Sequence, residues 1–513
     1  MFNKARSILI WLIALIVFAG SFSGCTKQTG TISSKPQELV IGIGRDFYDG
    51  PDSSDFVHGS TNVWESLTYL NEKLEPKPQL AEKFLPDNTN KVWTFTIRSG
   101  IKFHDGSLLN AETVVKNVKR FKEHPKLDDY GTFLNLEKIE AVNDNEVRFI
   151  FKKPEPAFPA KVAYFGCPIF STQSFDSEGK IVHPYGTGPF KFEDYKKGEK
   201  ITVTRNDNYW GGKVKLSKVT FKIIPDPTTR LSALQTGEIQ AIADVGGVLP
   251  EQANIIKNNS NLVLLSRPVT TTHYLLFNNK KAPFNDVNLR QAVSFSIDRS
   301  QLVDKVMEGY GEPAETIFTP LAKTWVVRGL WRYDKNKASE IMNNTKSGIP
   351  HKAVFVINSS LANRWPYKAI SEIMQSELKT LGFEVELKML EMGAWKEALK
   401  KGEYDLTLTP YTLMTGDPDF FFGRWIYSKG QMNIQRGIGY NNPEADRIID
   451  AAAIVPELSK RKELYDELQR LVAKDVPLSP IYNDVCLYAT RKEIQNLKLD
   501  PFFKPSLEKA WIK

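Results

Sequence analysis

The sequence predicts an α/β protein of two lobes, and three observations carry that prediction. Residues Val219 to Val245 read as a complete strand, helix, strand unit. A second run, Val354 to Leu387, repeats the same order. The 513 residues, 41% of them apolar, are too many for one core and enough for two. The first unit carries its own punctuation. Val219, Phe221 and Ile223 alternate with Thr220 and Lys222, the period of a strand with one buried face. Asp226 can cap the next helix, and Pro227 suits the first helical position, where a missing N–H costs nothing. Leu231 and Leu234 form a short apolar stripe, Gly237 supplies the left-handed residue that ends the helix, and Ile239 to Ala243 starts a new strand.

Taken in order, the chain opens on an address. Lys4 and Arg6 precede an apolar run, Ile8 to Ala19, shorter than the roughly 20 residues that span a bilayer. Ser23-Gly24-Cys25 then sets small residues before a cysteine. This resembles a bacterial lipoprotein signal, in which Cys25 becomes the lipidated N-terminus, although Phe22 stands where leucine is usual. An ordinary secretory signal with an incidental cysteine is the alternative. Residues 1–24 are therefore expected to be a signal peptide and 25–37, rich in Thr, Ser, Lys and Gly, a flexible tether. The formal charge of +8 falls to +6 when Lys4 and Arg6 leave. Lysines and acids alternate through the remainder, which predicts a solvated surface and no nucleic-acid partner. Cys167 and Cys486, with no cysteine or histidine at metal-ligand spacing nearby, predict buried thiols; a disulfide stays open.

Leu39 to Gly44 reads as a strand running into Arg45-Asp46-Phe47 and a long Gly/Pro/Ser/Asp loop that holds His58 and Asn62. A helix is expected around Val63 to Leu70. Val92 to Arg98 alternates as a strand, Asp105-Gly106 marks a tight turn, Asn110 caps a helix over Ala111 to Phe121, and Leu134 to Val142 pairs with Glu146 to Phe151. Gly186-Thr187-Gly188 is followed by Pro189 and the strand-like Phe190-Lys191-Phe192. A phosphate cradle needs a helix there, so the glycines predict a turn. Beyond the first unit, a helix over Val287 to Val293 ends near Ile297. Val354 to Ile357 is strand-like, Ala369 to Leu381 helical with Gly382 as its stop, and Phe383 to Leu387 a strand. Trp395, Ala398 and Leu399 lie in a helix ended by Gly402, Tyr404 to Thr409 forms a strand, and Pro456 to Ala473 a helix burying Leu464, Leu468, Leu471 and Val472.

Several of these segments, in fixed order, carry a resemblance. They are Gly100 to Ser107, Gly186-Thr187-Gly188-Pro189-Phe190, Arg205 to Trp210, Ile224 to Arg230, and Asn278 to Phe284 followed by Val287 to Val293. From Leu39 to the end the chain resembles the extracellular solute-binding proteins of peptide and nickel ABC importers, family 5. The resemblance implies a two-lobed periplasmic-binding-protein fold of class II type with an extra N-terminal subdomain. It implies lobe I over 38–265 with the subdomain at about 80–165, lobe II over 266–483, and a return to lobe I over 484–513. Two crossings, near Leu264 to Asn278 and near Pro480 to Cys486, would form a hinge that lets the lobes close on a ligand. His104 and Asp105 then belong to a structural turn.

The same resemblance implies a monomeric, lipid-anchored, extracytoplasmic protein that serves an ABC permease and its ATPase and has no cofactor of its own. Any metal would be part of the cargo. Tyr411 to Phe420 resembles the cleft loop. Dipeptide-binding relatives carry an aspartate where Met414 stands, and a thioether cannot compensate an ammonium, which leaves Asp417 or Asp419 for that part. Nickel-binding relatives hold a chelate with arginines, but Tyr164 to Pro168 has none here. The later loop, Ser428 to Tyr440, lacks histidine and offers Asn433 and Arg436, while Arg424 or Arg436 could meet carboxylates bidentately. The expected ligand contacts are Arg45, Phe47, His58, Tyr130, Phe133, Tyr411, Met414, Asp417, Arg424, Asn433 and Arg436; metal ligands are unknown. No zinc-hydrolase helix, nucleophile elbow or spaced cysteine cluster supports an enzyme. A surface receptor that senses without transport shares the fold.

Overall fold

The unit around Pro225 is built as its residues dictate. Strand Lys218–Ile223 buries Val219, Phe221 and Ile223 on one side and leaves the intervening residues half-exposed. Helix Pro227–Thr236 starts where the Asp226 carboxylate accepts the Thr229 N–H at 2.7 Å, and ends at Gly237 with φ of 86°. The return strand is shorter than the pattern suggested, only Ala241–Ile242. This computed structural model describes residues 36–46, 60–128, 131–163, 167–345 and 351–513. The expected leader, Cys25 and the candidates Phe47, His58 and Tyr130 lie outside them.

Eleven strands of the large sheet are, in chain order, β1 (Glu38–Ile43), β2 (Phe190–Lys196), β3 (Lys200–Arg205), β4 (Lys218–Ile223), β5 (Ala241–Ile242), β6 (Leu262–Phe277), β7 (Gly311–Pro313), β8 (His351–Asn358), β9 (Phe383–Leu390), β10 (Leu406–Thr412) and β11 (Leu478–Arg491). Their spatial order is β2-β3-β4-β1-β5-β11-β6-β10-β8-β9, with β7 on β11. The parallel pairs β4-β1-β5 form one α/β half and β9-β8-β10 the other. Antiparallel β6 and β11, 16 and 14 residues long, join them. Together they bridge the halves: β11 pairs β5 through Thr490 and Ala489, while β6 pairs β10 from Thr271 to Phe277. This is the two-lobed α/β architecture that the sequence predicts.

A smaller antiparallel sheet, in the order Ala81–Pro86, Val92–Ile97, Glu146–Phe151, Leu136–Asn143, sits under helix Ala111–Glu123. Its core is aromatic. Phe158 is fully buried and packs edgewise against Phe151 and Phe95, with ring centroids 4.6 and 5.8 Å away. Helix Phe158–Lys161 is thereby fixed to the subdomain.

Two expectations are corrected. Residues 63–70 are not a helix but two short strands, Glu65–Ser66 and Thr68–Leu70. Their backbone is needed extended: the carbonyls of Val63 and Asn62 accept the N–H groups of Gly188 and Phe190 at 3.0 and 3.3 Å, bonds a helix would pre-empt. Helix Leu458–Asp475 buries Arg461, Tyr465, Leu468, Gln469 and Val472, while Leu464 and Leu471 are only partly buried. Its inward stripe is rotated because Arg461 has a charged partner inside.

The Gly186 turn leaves no room for a side chain: a Cβ there would lie 2.1 Å from the Val63 carbonyl oxygen and 2.8 Å from Trp64 Cα, both backbone. Gly186→Ala is expected to cost about 3 kcal/mol in urea unfolding. An unchanged midpoint would mean that the two segments separate freely.

Candidate functional site

β6 changes character along its length. Its first half is largely solvent-facing, whereas Val269 to Phe277 is buried, and this buried stretch includes four polar residues, Thr270 to His273. Such groups must find partners, and they find them on both neighbouring strands. Thr272 lies in register with Asn483 of β11 and Tyr411 of β10, and its hydroxyl donates to Asn483 Oδ1 at 2.8 Å. On the other face His273 stacks on Tyr482 at 4.1 Å and meets the Tyr367 hydroxyl through Nδ1 at 2.7 Å. Burial lowers the His273 pKa and keeps the ring neutral. Trp365 Nε1 donates to Asp484 Oδ2 at 3.0 Å, tying the second half to β11. A polar seam thus runs across the two joining strands.

The loop leaving β10 is organised by charge. Asp417 caps helix Pro418–Phe421 by accepting the Asp419 N–H, and its carboxylate takes a bidentate pair from Arg461 at 2.8 and 2.9 Å. Burial favours the neutral Arg461, but Asp417 outweighs it and drives the guanidinium pKa up. Asp419 reaches the other way, to Lys161 Nζ of the subdomain at 2.7 Å, and Lys161 also bonds Glu155 Oε2 at 2.8 Å. Burial would raise the Asp419 pKa, but Lys161 and Arg461 hold it below the usual carboxylate range. Arg461, Lys161 and Asp419 are therefore charged at neutral pH.

Two glycines in left-handed conformation also bring the halves together. A Cβ on Gly416 (φ 65°) would meet Leu74 Cβ and its carbonyl oxygen at 2.7 Å. One on Gly246 (φ 58°) would meet Arg364 Cβ and carbonyl oxygen at 2.7 Å. The Gly246 turn is held from behind by Arg230, which donates to the Gly247 carbonyl at 2.9 and 3.0 Å. Arg45 lies beside it, its Nε 3.1 Å from Asp244. The two halves are closed on one another.

The structure brings Arg45, Tyr411, Met414 and Asp417 to elements that line this junction and places the remaining described candidates elsewhere. Tyr411 is buried against Phe421 and Trp425 with no partner for its hydroxyl among the described residues. Met414 is half-buried against the main core. Phe133 stacks on Phe121 at 5.4 Å inside the subdomain. Arg424 lies over the Phe420 ring at 4.6 Å and bonds Gln431. Asn433 spends its amide on the Tyr427 and Tyr440 carbonyls at 2.9 and 2.8 Å. Arg436 covers Trp395 at 4.6 Å, its pKa pushed down to about 10 by burial. Sequence reasoning missed Lys161, Glu155, Arg461 and Asp484: Glu155 lies 6 residues from Lys161, but Arg461 is 44 residues from Asp417, Asp484 is 119 from Trp365, and Asp419 is farther still from Lys161. Cys167 and Cys486 are free and buried. His104 bonds the Gly188 carbonyl at 3.0 Å, a turn contact.

A separate cavity of about 220 Å³ beside Trp64, Tyr209 and Lys504 contains Glu65, whose carboxylate already accepts from Thr187, Tyr209 and Trp210. It is a structural anchor for the Asn208-Tyr209-Trp210 run. Among the described residues no group of three His, Cys, Asp or Glu is placed to hold a metal ion, and no helix is long and apolar enough to cross a membrane.

A profile of the bacterial extracellular solute-binding proteins, family 5 Middle, matches residues 75–433. The glutathione-binding protein GsiB of Salmonella typhi is 26% identical over 491 residues, 93% of this chain and 95% of that protein. Among solved structures, a dipeptide binding protein from Pseudoalteromonas sp. SM9913 in complex with Met-Leu superimposes with a TM-score of 0.79 at 22% identity, over 93% of this chain and all of that one. NikA from Brucella suis in complex with Fe(III)-EDTA gives 0.82 at 21%, with the same coverage.

Arg461→Met should leave the Asp417 carboxylate buried without its partner, at a cost of about 3 kcal/mol in chemical denaturation. A loss below about 1 kcal/mol would place this pair among weak surface bridges.

Proposed function

The chain belongs to the bacterial extracellular solute-binding proteins of family 5, and from that premise we propose that it captures a short peptide or peptide-like ligand between its two lobes and presents the closed form to an ABC permease. It performs no chemistry itself. The observation that carries this reading is the closed junction. Two paired strands bridge the halves, and the halves meet at Gly416 with Leu74, Gly246 with Arg364 and Asp419 with Lys161. A fold of this kind can bury most of a small ligand while each half stays rigid.

The peptide class is favoured over a metal chelate by the curated relative of nearly full length, named for glutathione, itself a tripeptide. The NikA structure, at 21% identity, speaks for the fold alone. Native mass spectrometry of the purified protein tests the reading. Adducts spaced by amino-acid residue masses are expected; a single metal-containing adduct lost on chelation would replace it with a metal-chelate importer.

We further propose that Cys25 carries the lipid that holds the protein to the cell membrane. Lys4, Arg6, the Ile8 to Ala19 run and Gly24-Cys25 support this. Metabolic labelling with radioactive palmitate should mark the wild type and not Cys25→Ala, which should leave the membrane fraction. Equal labelling of both would remove the anchor.

A further inference from the structure

Lys161 stands at the only place among the described residues where a side-chain ion pair joins the subdomain to the loop after β10. It ends the short helix that Phe158 pins into the subdomain core, so its backbone is fixed to one half. Its ammonium lies between two carboxylates: Glu155 Oε2 at 2.8 Å from its own half and Asp419 Oδ2 at 2.7 Å from the other. Glu155 is itself saturated, for its second oxygen accepts from Asn135 Nδ2 at 2.6 Å. Asp417 beside it is spent on Arg461. The carboxylates of this loop thus receive their positive charge from within the protein.

Resting on the peptide reading above, we propose that Lys161 is a specificity-determining residue. It supplies the ammonium that the Asp417 to Asp419 loop requires, so the ligand is held without a charged amino terminus, and lobe closure is latched by the protein's own lysine. The physical reason is the cost of leaving a buried charge unpaired. An amine on the ligand would have to displace Lys161 from Asp419 to gain anything there, and the exchange returns one ammonium for another. The bridge also opens cheaply. When the lobes part, Lys161 keeps Glu155 and Asp419 keeps the field of Arg461, so neither charge is abandoned.

The test uses a random tripeptide pool in two forms, with free and with acetylated amino termini, and weighs what the purified protein retains. The wild type is expected to hold both forms to within about threefold, whereas Lys161→Gln, which bares Asp419, favours the free amines by about tenfold or more. A wild-type preference for free amines above about threefold would overturn the proposal while leaving the peptide reading intact. Retention of neither form would instead sink the peptide reading. The latch is then judged on ligand-free protein by small-angle X-ray scattering. Lys161→Gln and Asp419→Asn should each expand the particle, and the double variant no further, because both remove one interaction. Unchanged radii in both single variants would overturn it.

Discussion

The antiparallel pairing of β6 with β11 is the constraint on which the rest depends. β11 hydrogen-bonds into the first half of the large sheet through β5, β6 into the second half through β10, and their mutual ladder is the link between the two. Their ladder is not uniform. Its register shifts between Pro268 and Thr272 and again between His273 and Tyr274, and such irregularities bend a strand and interrupt pairing. The same short stretch carries the polar seam of Thr272, Asn483, His273 and Asp484. Where the backbone ladder weakens, side chains take over the bonding, and they do so at the level where the halves meet.

Around that seam the protein handles charge in chains instead of isolated pairs. Arg461 answers Asp417, Lys161 answers Asp419, and Glu155 answers Lys161 on its other side. A buried pair of single partners is costly to break because one charge is left without solvent or counter-ion. A shared chain softens that penalty, since each member keeps a neighbour when one link is lost. Arg230 plays a different part, giving its donors to backbone carbonyls at Ile224 and Gly247 and so setting the turn that meets Arg364.

Much of the fold was legible because it is written locally. Asp226, Asn110 and the glycines at 237, 382 and 402 mark helix ends through their own backbone and capping chemistry, which needs no distant partner. The stretch 63–70 misled for the opposite reason. Its apolar spacing suits a helix, but its first carbonyl, at Val63, accepts from Gly188 of the Gly186 turn more than 100 residues on, and those of Ser66 and Leu67 accept from residues 79–81. Leu464 and Leu471 share that fault, since Arg461 draws the helix face toward Asp417, 44 residues before it.

The candidate site was legible only in outline. Sequence alone announced the strand Tyr404 to Thr409 and the loop after it, whereas the Asp417 cap and the short helix Pro418–Phe421 emerged from the structure. Sequence also determined the α/β class and the repeat of the strand, helix, strand unit on either side of the joining strands. The tertiary structure decided which carboxylate faces inward to Arg461 and which faces across to Lys161. It also decided that Asn433, Arg436 and Phe133 are occupied with packing and backbone carbonyls inside their own halves. Long-range electrostatic partnership has no period along the chain. It depends on where folding brings side chains that the sequence keeps hundreds of residues apart, such as Lys161 and Asp419.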